Sequence, residues 1–335
     1  MTASGGVEGY ACLTDRVGWV ALPRDVLVCR GSDTVKFLHS LMSQDVAAIP
    51  VGDAQWSFLL QPTGKAVALF RVHRLADAAN SDGAVVLELD PGAGAVVQAA
   101  LLRFRIRTAC DIELRSAEMV AVRGPASSGV LVGLLGDVGV SVEGFLAGET
   151  GLRAPAGPWW RPEEFDVVAV ARESGASAAA ERVAWRDHVS SLPEVDAEVF
   201  DAMRIERGVP VFGREITDAT IPNETGLIAA AVSRTKGCYL GQELVERIDS
   251  RGGNTPQHLR CLELRHELVP TDGRAVLSVD GKDQGLLTSA ARHPASGKVV
   301  ALGSVHRSVA VGAEMAVRWD GGTDSALVQR VPGLE

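Results

Sequence analysis

An α+β fold ending in a small β-barrel or sandwich is predicted for this chain on three observations. A strand that runs into a glycine and then a helix occurs twice, near residues 26–42 and 120–135. From about His258 the pattern changes to short alternating strands separated by turns. Between these regions, residues 208–235 carry little regular pattern, and so long a stretch inside a compact domain is usually functional.

The bulk properties narrow the function classes. A chain of 335 residues exceeds one compact core and is expected to form two or three domains. Apolar residues make up 46% and aromatics only 5%, so the core is mostly Ala, Val and Leu. The net charge of −9 opposes broad binding to nucleic-acid backbones, and no direct nucleic-acid partner is expected. Cys12, Cys29, Cys110, Cys238 and Cys261 are odd in number and form no C-x-x-C, which signals neither a disulfide framework nor a complete zinc site. A reducing, cytoplasmic setting is the expected compartment. No apolar run approaches the roughly 18 residues that span a bilayer, and no secretory signal is visible, so no membrane partner is expected. The histidines show no H-x-x-x-H spacing, and no metal is assigned. Without a G-x-S-x-G, a P-loop or a G-x-G-x-x-G opening a βαβ unit, serine hydrolase, NTPase and dinucleotide readings start low.

In order, residues 1–20 read as an irregular arm. Asp25–Gly31 reads as a strand, and Ser32 or Asp33 caps a helix with Val35, Phe37, Leu38, Leu41 and Met42 on its apolar side. Ala54–Leu60 and Ala66–Val72 read as strands joined by Gln61-Pro62-Thr63-Gly64-Lys65. Val85–Asp90 is a strand broken by Pro91-Gly92, Ala95–Arg105 a helix, and Cys110–Leu114 a strand. A second unit begins near Met119 with a strand at Val120–Gly124 and a short helix at Ser127–Leu135 behind Pro125. Residues 136–160 are irregular, Phe165–Val170 is a strand, and Ala178–Val189 and Ala197–Glu206 are helices. Five C-terminal strands are expected at 259–266, 274–280, 284–290, 298–305 and 313–320.

Lys236-Gly237-Cys238-Tyr239-Leu240-Gly241-Gln242-Glu243 concentrates a cation, a thiol, a phenol, an amide and a carboxylate between glycines. Leu244, Val245 and Ile248 follow at helical spacing, so a helix is expected to start near Gly241 or Gln242. Cys238 then precedes a helix N-terminus with Lys236 close by, and both favour a thiolate. Glu243 opposes that shift unless it pairs with Arg247, four residues on. The opposing reading of Cys238 is a small buried residue beside a tight turn. The other four cysteines read as ordinary core or surface residues.

This octapeptide, read with its flanks, closely resembles the K-G-C-Y-x-G-Q-E signature of the YgfZ branch of the YgfZ/GcvT family, folate-binding relatives of the glycine-cleavage T-protein aminomethyltransferase. Arg204 with Gly208-Val209-Pro210 looks like the family's R-x-x-x-G-x-P turn, and Pro222-Asn223-Glu224 with Leu227 like its P-x-E segment. Arg251-Gly252 with Asn254 matches its R-G-x-N, Gly64-Lys65 its G-K hairpin, and Leu101–Arg107 its basic helix end. Leu41–Val46 and Gly285–Ala290 resemble further pieces, so the similarity spans roughly residues 20–310. The resemblance implies a GcvT-like three-domain ring: two interleaved α+β folate-binding units closed by a C-terminal β-barrel. The expected division is 20–118 for the first unit (with contributions from 195–255), 119–195 for the second, 196–256 for a motif-bearing channel segment, and 257–335 for the barrel.

It further implies a tetrahydrofolate or derivative in a central channel that Cys238 faces, and a role in assembling or repairing iron–sulfur enzymes, including radical enzymes that modify tRNA. The partners would be the folate and those client enzymes. Cys238 and Lys236 are then the candidate catalytic residues. Tyr239, Gln242, Glu243, Glu224, Phe200, Arg247, Arg251, Gly237 and Gly241 are the candidate folate contacts or loop formers. Each has a plain structural alternative: a solvated loop lysine, an aromatic loop anchor, helix-start hydrogen bonds at Gln242 and Glu243, surface charges at Glu224 and the arginines. Glu163 or Glu164 competes with Glu224 for reading a pterin edge. The chain departs from the family at Arg24, where an aromatic stands in some members, whereas Phe200 keeps an aromatic face. A single thiol cannot ligate a cluster fully, so cluster contact requires a dimer or outside ligands. The competing functions are a folate-dependent aminomethyl- or methyltransferase and a non-catalytic adaptor for client enzymes.

Overall fold

The computed structural model describes residues 5–134, 142–147, 151–170, 189–266 and 268–334. Its spine is a long antiparallel pair. After helix α1 (Gly6–Asp15), strand β1 (Gly18–Arg30) pairs with β5 (Asp111–Arg123) along their whole length, from Gly18 opposite Arg123 to Arg30 opposite Asp111. Around it lie β2 (Ala54–Leu60), β3 (Ala66–Asp77), β4 (Asn80–Leu89), β6 (Leu152–Pro155) and β7 (Phe165–Val170), giving one antiparallel sheet in the order β2-β3-β4-β1-β5-β7-β6. Helices α2 (Thr34–Leu41) and α3 (Ala93–Leu102) cover one face with a core that includes Leu27, Leu38, Phe70, Leu87 and Val97. Against the other pack α1 and the helix Ala197–Glu206, through residues such as Leu13, Phe58, Met119 and Met203.

The strand–glycine–helix repeat is a two-fold relationship. Gly31 and Gly124 end the paired strands with φ of +129° and +115°, in the left-handed half of the map where a side chain is strained. A Cβ on Gly31 would lie 2.3 Å from the Ala109 carbonyl, and one on Gly124 2.4 Å from the Arg16 carbonyl. The same two carbonyls accept hydrogen bonds from Asp33 and Ala126 at 3.0 and 3.2 Å. Helices α2 and α4 (Ser127–Leu134) then start three residues past their glycines. The expected pair of α+β units thus shares a single sheet, and β5 runs through residues 118 and 119.

The C-terminal part is a closed six-stranded barrel, β10-β11-β8-β13-β12-β9, built from β8 (Gln257–Leu264), β9 (Ala275–Val279), β10 (Lys282–Arg292), β11 (Val299–His306), β12 (Glu314–Trp319) and β13 (Gly322–Gln329). Sequence reading found five of these strands. It missed β13, whose Gly-Thr-Asp-Ser start hides the alternation. The barrel docks through Glu215, whose buried carboxylate accepts from Thr288 and Ser289 at 2.7 and 2.6 Å, and through Arg204, which donates to Ser289 at 3.0 Å.

Other differences have local causes. The expected irregular arm contains α1: its glycines mask a helix that buries Cys12 and Leu13 and sends Tyr10 to Glu206 at 2.8 Å. The two strands read at 110–124 are one, because the solvated charges of residues 111–118 break the apolar pattern but not the pairing. Helix α3 starts at Ala93, behind Gly92 at φ 85°, and stops at Leu102. Residues 136–160 contain α5 (Val142–Ala147) as well as β6. The helix expected at 178–189 lies outside the described residues apart from Val189. Helix α6 (Ala197–Glu206) matches its prediction, as does α8 (Gln242–Asp249), and a single turn α7 (Ile228–Ala231) lies between them.

Candidate functional site

Charged residues sit inside strands that are otherwise apolar, and the register gathers them. Trp56 on β2 lies opposite Arg71 on β3, and Arg71 lies opposite Glu88 on β4. Buried Arg71 reaches Glu88 at 2.5 Å and Asp166 at 2.8 Å, His73 meets the other Glu88 oxygen at 3.0 Å, and buried Arg123 pairs with Asp166 at 2.8 Å. Arg24 closes the group with longer contacts, 3.6 Å to Glu88 and 3.3 Å to Asp90. Burial by itself would raise the Glu88 carboxyl, but Arg71 and then His73 outweigh it and hold it well below the usual carboxylate range. Burial pushes the Arg123 guanidinium down, whereas at Arg71 the paired carboxylates overcome burial and push it up.

Aromatic faces stand over these charges. Trp159 and Trp160 come from the loop between β6 and β7, and Phe200 from α6. Trp160 stacks on Phe200 at 5.4 Å and 17°, and the Arg123 and Arg207 guanidinium carbons lie 4.3 and 5.1 Å from the Trp160 ring centre. Trp56 meets Trp159 edge-on at 5.4 Å and lies 5.2 Å from the Arg71 guanidinium. All of these residues except Arg207, with Arg24, Arg204 and Val209–Val211, line a cavity of about 60 Å³. Three buried donors of lining residues, Arg71 Nε, Arg123 Nε and Trp159 Nε1, have no acceptor. Buried polar groups are almost always hydrogen-bonded, so orphaned donors beside a cavity point to a ligand that carries acceptors. The donor set and the aromatic faces suit a pterin, whose edge both donates and accepts. The volume is well below the ~300 Å³ of ordinary ligand pockets. Such a ring therefore fits only with side-chain movement, and Arg24, partly exposed and loosely paired, is the member freest to give way.

Of the residues singled out from sequence, Phe200, Arg24, Arg204, Val209 and Pro210 line this cavity, and Lys236–Glu243 do not. Cys238 is exposed, while the other four cysteines are buried. Lys236 is a clamp: its ammonium donates to the carbonyls of His39, Met42 (2.6 Å) and Gln44 (3.1 Å) at the C-terminal end of α2. Burial pushes that ammonium down to about 8. Buried Tyr239 lies beneath it, 5.3 Å from ring centre to Nζ, and its hydroxyl has no partner. Burial raises this phenol to about 12. Gln242 accepts from the Tyr239 N–H at 3.2 Å and so ties the loop to the first turn of α8. Gly241, at φ 77°, packs on the Gly64 hairpin. Gly237, Glu243, Arg247 and Arg251 are exposed, and among the described residues no ion pair joins Glu243 to Arg247.

Glu224 accepts from the Ile221 N–H at 3.1 Å and lines a separate polar cavity beside the barrel, where burial raises its carboxyl. Buried Glu164 is committed to the N–H groups of Gly124 and Arg161 at 2.9 and 2.8 Å, so it has little left for a pterin edge. Glu163 is half-buried. Sequence reading missed Trp56, Arg71, Glu88, Arg123, Trp159, Trp160 and Asp166. The available signal was the charges inside strand patterns and the Trp159-Trp160 pair in a chain poor in aromatics.

Known proteins resemble this chain in sequence and, in one solved structure, in fold. The chain is 26% identical over 322 residues to an aminomethyltransferase of Geobacillus kaustophilus, spanning 91% of this chain and 84% of that protein. It is 27% identical over 322 residues to an aminomethyltransferase of Thermotoga neapolitana, spanning 91% and 83%. The crystal structure of glycine cleavage system aminomethyltransferase T from Bartonella henselae superposes with a TM-score of 0.77 at 19% identity, covering 97% of this chain and 88% of that one. No family model matches the chain. The fold is GcvT-like, and these relatives support the GcvT superfamily without separating its branches.

Proposed function

We propose that this chain is a tetrahydrofolate-binding protein of the YgfZ branch of the GcvT superfamily, and that it supports the assembly or repair of iron–sulfur enzymes. The observation that carries the folate reading is the Trp160–Phe200 stack under Arg123, set beside three buried donors without acceptors. One face of the Trp160–Phe200 stack would lie against the pterin, Asp90 would accept from its amino edge once Arg24 moves, and Trp159 Nε1 would donate to it. A bound tetrahydrofolate supplies a carrier for one-carbon units. The branch reading rests on the octapeptide. In it Lys236, Gln242 and Gly241 hold the loop rigid and leave Cys238 as the accessible thiol through which a client or a cluster is engaged. Glu224, Tyr239, Glu243, Arg247 and Arg251 would act at the loop or its rim, not at the pterin.

Isothermal titration with a reduced folate tests the first part: saturable binding that weakens in Phe200→Ala is expected, and no heat with any reduced folate overturns it. Cys238→Ala should abolish support of client enzymes in cells while the fold is kept; full support would remove the thiol role. The relatives favour one second reading, a folate-dependent aminomethyltransferase. Formation of methylenetetrahydrofolate from an aminomethylated carrier protein would establish it.

A further inference from the structure

The basic helix end at residues 101–107 takes no part in the cavity. Val96, Ala99, Ala100 and Arg103 fall at i, i+3, i+4 and i+7 of α3 and its first following residue, so they form one face. That face is one wall of an open groove of about 470 Å³. The other wall is the segment from Phe212 to Asp218, and Val67 and Gln61 complete the lining. Apolar surface is exposed on the helix, where Val96 and Leu102 are 47% and 42% exposed, and past it, where Phe104 and Ile106 are 39% and 76%. The conformation is held, since the Phe104 and Ile106 N–H groups are bonded to Leu101 and Phe104 carbonyls and Arg105 donates to the Cys110 carbonyl at 3.0 Å. Arg107 is fixed at φ +54°, a left-handed conformation that a non-glycine residue rarely adopts.

Charge distinguishes this surface from an ordinary apolar patch. Arg103, Arg105 and Arg107 alternate with Leu102, Phe104 and Ile106 on a chain whose net charge is −9. Arg105 pairs with Asp111 at 3.4 Å, whereas Arg103 and Arg107 make no ion pair among the described residues. We propose that this groove and its basic end dock an acidic, apolar-faced helical segment of a partner protein, with its apolar side chains against Val96, Ala100 and Phe212 and its carboxylates on Arg103 and Arg107. The interleaved aliphatic side chains and the overall negative charge favour a protein over a nucleic acid, which would be repelled everywhere else on the surface. The proposal is tested apart from the folate reading: the groove and the aromatic cavity share Ile216, but Val96, Arg103 and Arg107 do not line the cavity.

The test uses the full chain and a fluorescein-labelled helical peptide with Leu at i, i+3, i+4 and i+7 and Glu on the flanks, read by anisotropy. Binding is expected to weaken with salt, to fall at least tenfold when Gln replaces Glu in the peptide, and to fall about tenfold in the Arg103→Glu, Arg107→Glu double variant. Val96→Glu, at an exposed position, should block the groove separately. Reduced-folate titration of the same variants should be unchanged, which separates a failed dock from a failed folate site. No binding of the acidic peptide, equal binding by the charge-reversed variant, tighter binding of a labelled single-stranded RNA, or occupation of the groove by a second copy in sedimentation would each overturn the proposal.

Discussion

Gly64 and Gly241 meet backbone to backbone: a Cβ on Gly64 would lie 2.9 Å from the Gly241 carbonyl, and a Cβ on Gly241 3.1 Å from the Gly64 Cα and 2.4 Å from the Gln61 carbonyl. Both also have positive φ, +84° and +77°. The hairpin after β2 and the start of α8 are therefore fitted to each other through missing side chains. Gly241→Ala should destabilise the fold by about 2 kcal/mol or more, strain and overlap adding together, read as a lower urea midpoint at unchanged slope.

Lys236 ties the same loop to α2. Lys236→Met removes three donations to carbonyls and should cost about 1–3 kcal/mol. The titration has its own sign. Burial places the folded ammonium near 8, against 10.5 for the free side chain, so between those values the unfolded chain holds a proton that the native chain has released. Stability from this group therefore rises with pH between 8 and 10.5, by at most about 1.4 kcal/mol per pH unit. The difference in unfolding free energy between native protein and Lys236→Met, measured across that window, should show this slope.

The buried ion network should behave as a unit. Arg123→Met leaves Asp166 with Arg71 as its one remaining buried partner and should cost about 2–4 kcal/mol, far more than the loss of a surface pair. Glu88 is held ionised below its ordinary range, so its stabilising contribution is complete above that range and is lost as pH falls through the lowered value. Glu88→Gln should accordingly flatten the acid limb of the stability profile.

One thiol should react quickly with maleimide under native conditions, and Cys238→Ala should abolish that phase. The substitution should change stability by less than about 0.5 kcal/mol, as for surface positions generally.

Ligand binding should be visible in the tryptophans. Titration with a reduced folate should quench the fluorescence of Trp159 and Trp160, and Trp160→Ala should weaken binding with little change in the fold of the barrel.

Much of the fold was legible because its signals are local. The glycines after β1 and β5, the apolar stripe of α6 and the alternation of the barrel strands each report on their own neighbourhood. The octapeptide was likewise legible as a special loop. What it does there was not: Lys236 finds its acceptors almost two hundred residues away on α2, and that pairing makes it a clamp. The cavity was legible at Phe200, Arg24 and the Arg204 to Pro210 turn. Trp56, Arg71, Glu88, Arg123 and Asp166 come from five strands and Trp159 and Trp160 from one loop, and the register that sets Trp56, Arg71 and Glu88 in one row helps bring them together. Strand β13 and helix α1 escaped for the opposite reason, since their own sequences are weak and tertiary packing forms them.

The exposure of Cys238 also fixes the order of any covalent chemistry it undertakes. Cys12, Cys29, Cys110 and Cys261 are all enclosed, so the chain offers Cys238 no second sulfur without unfolding. Every disulfide or shared ligand that forms at this atom must be intermolecular, with a client, a small thiol or another copy, and its yield should scale with the concentration of that second molecule.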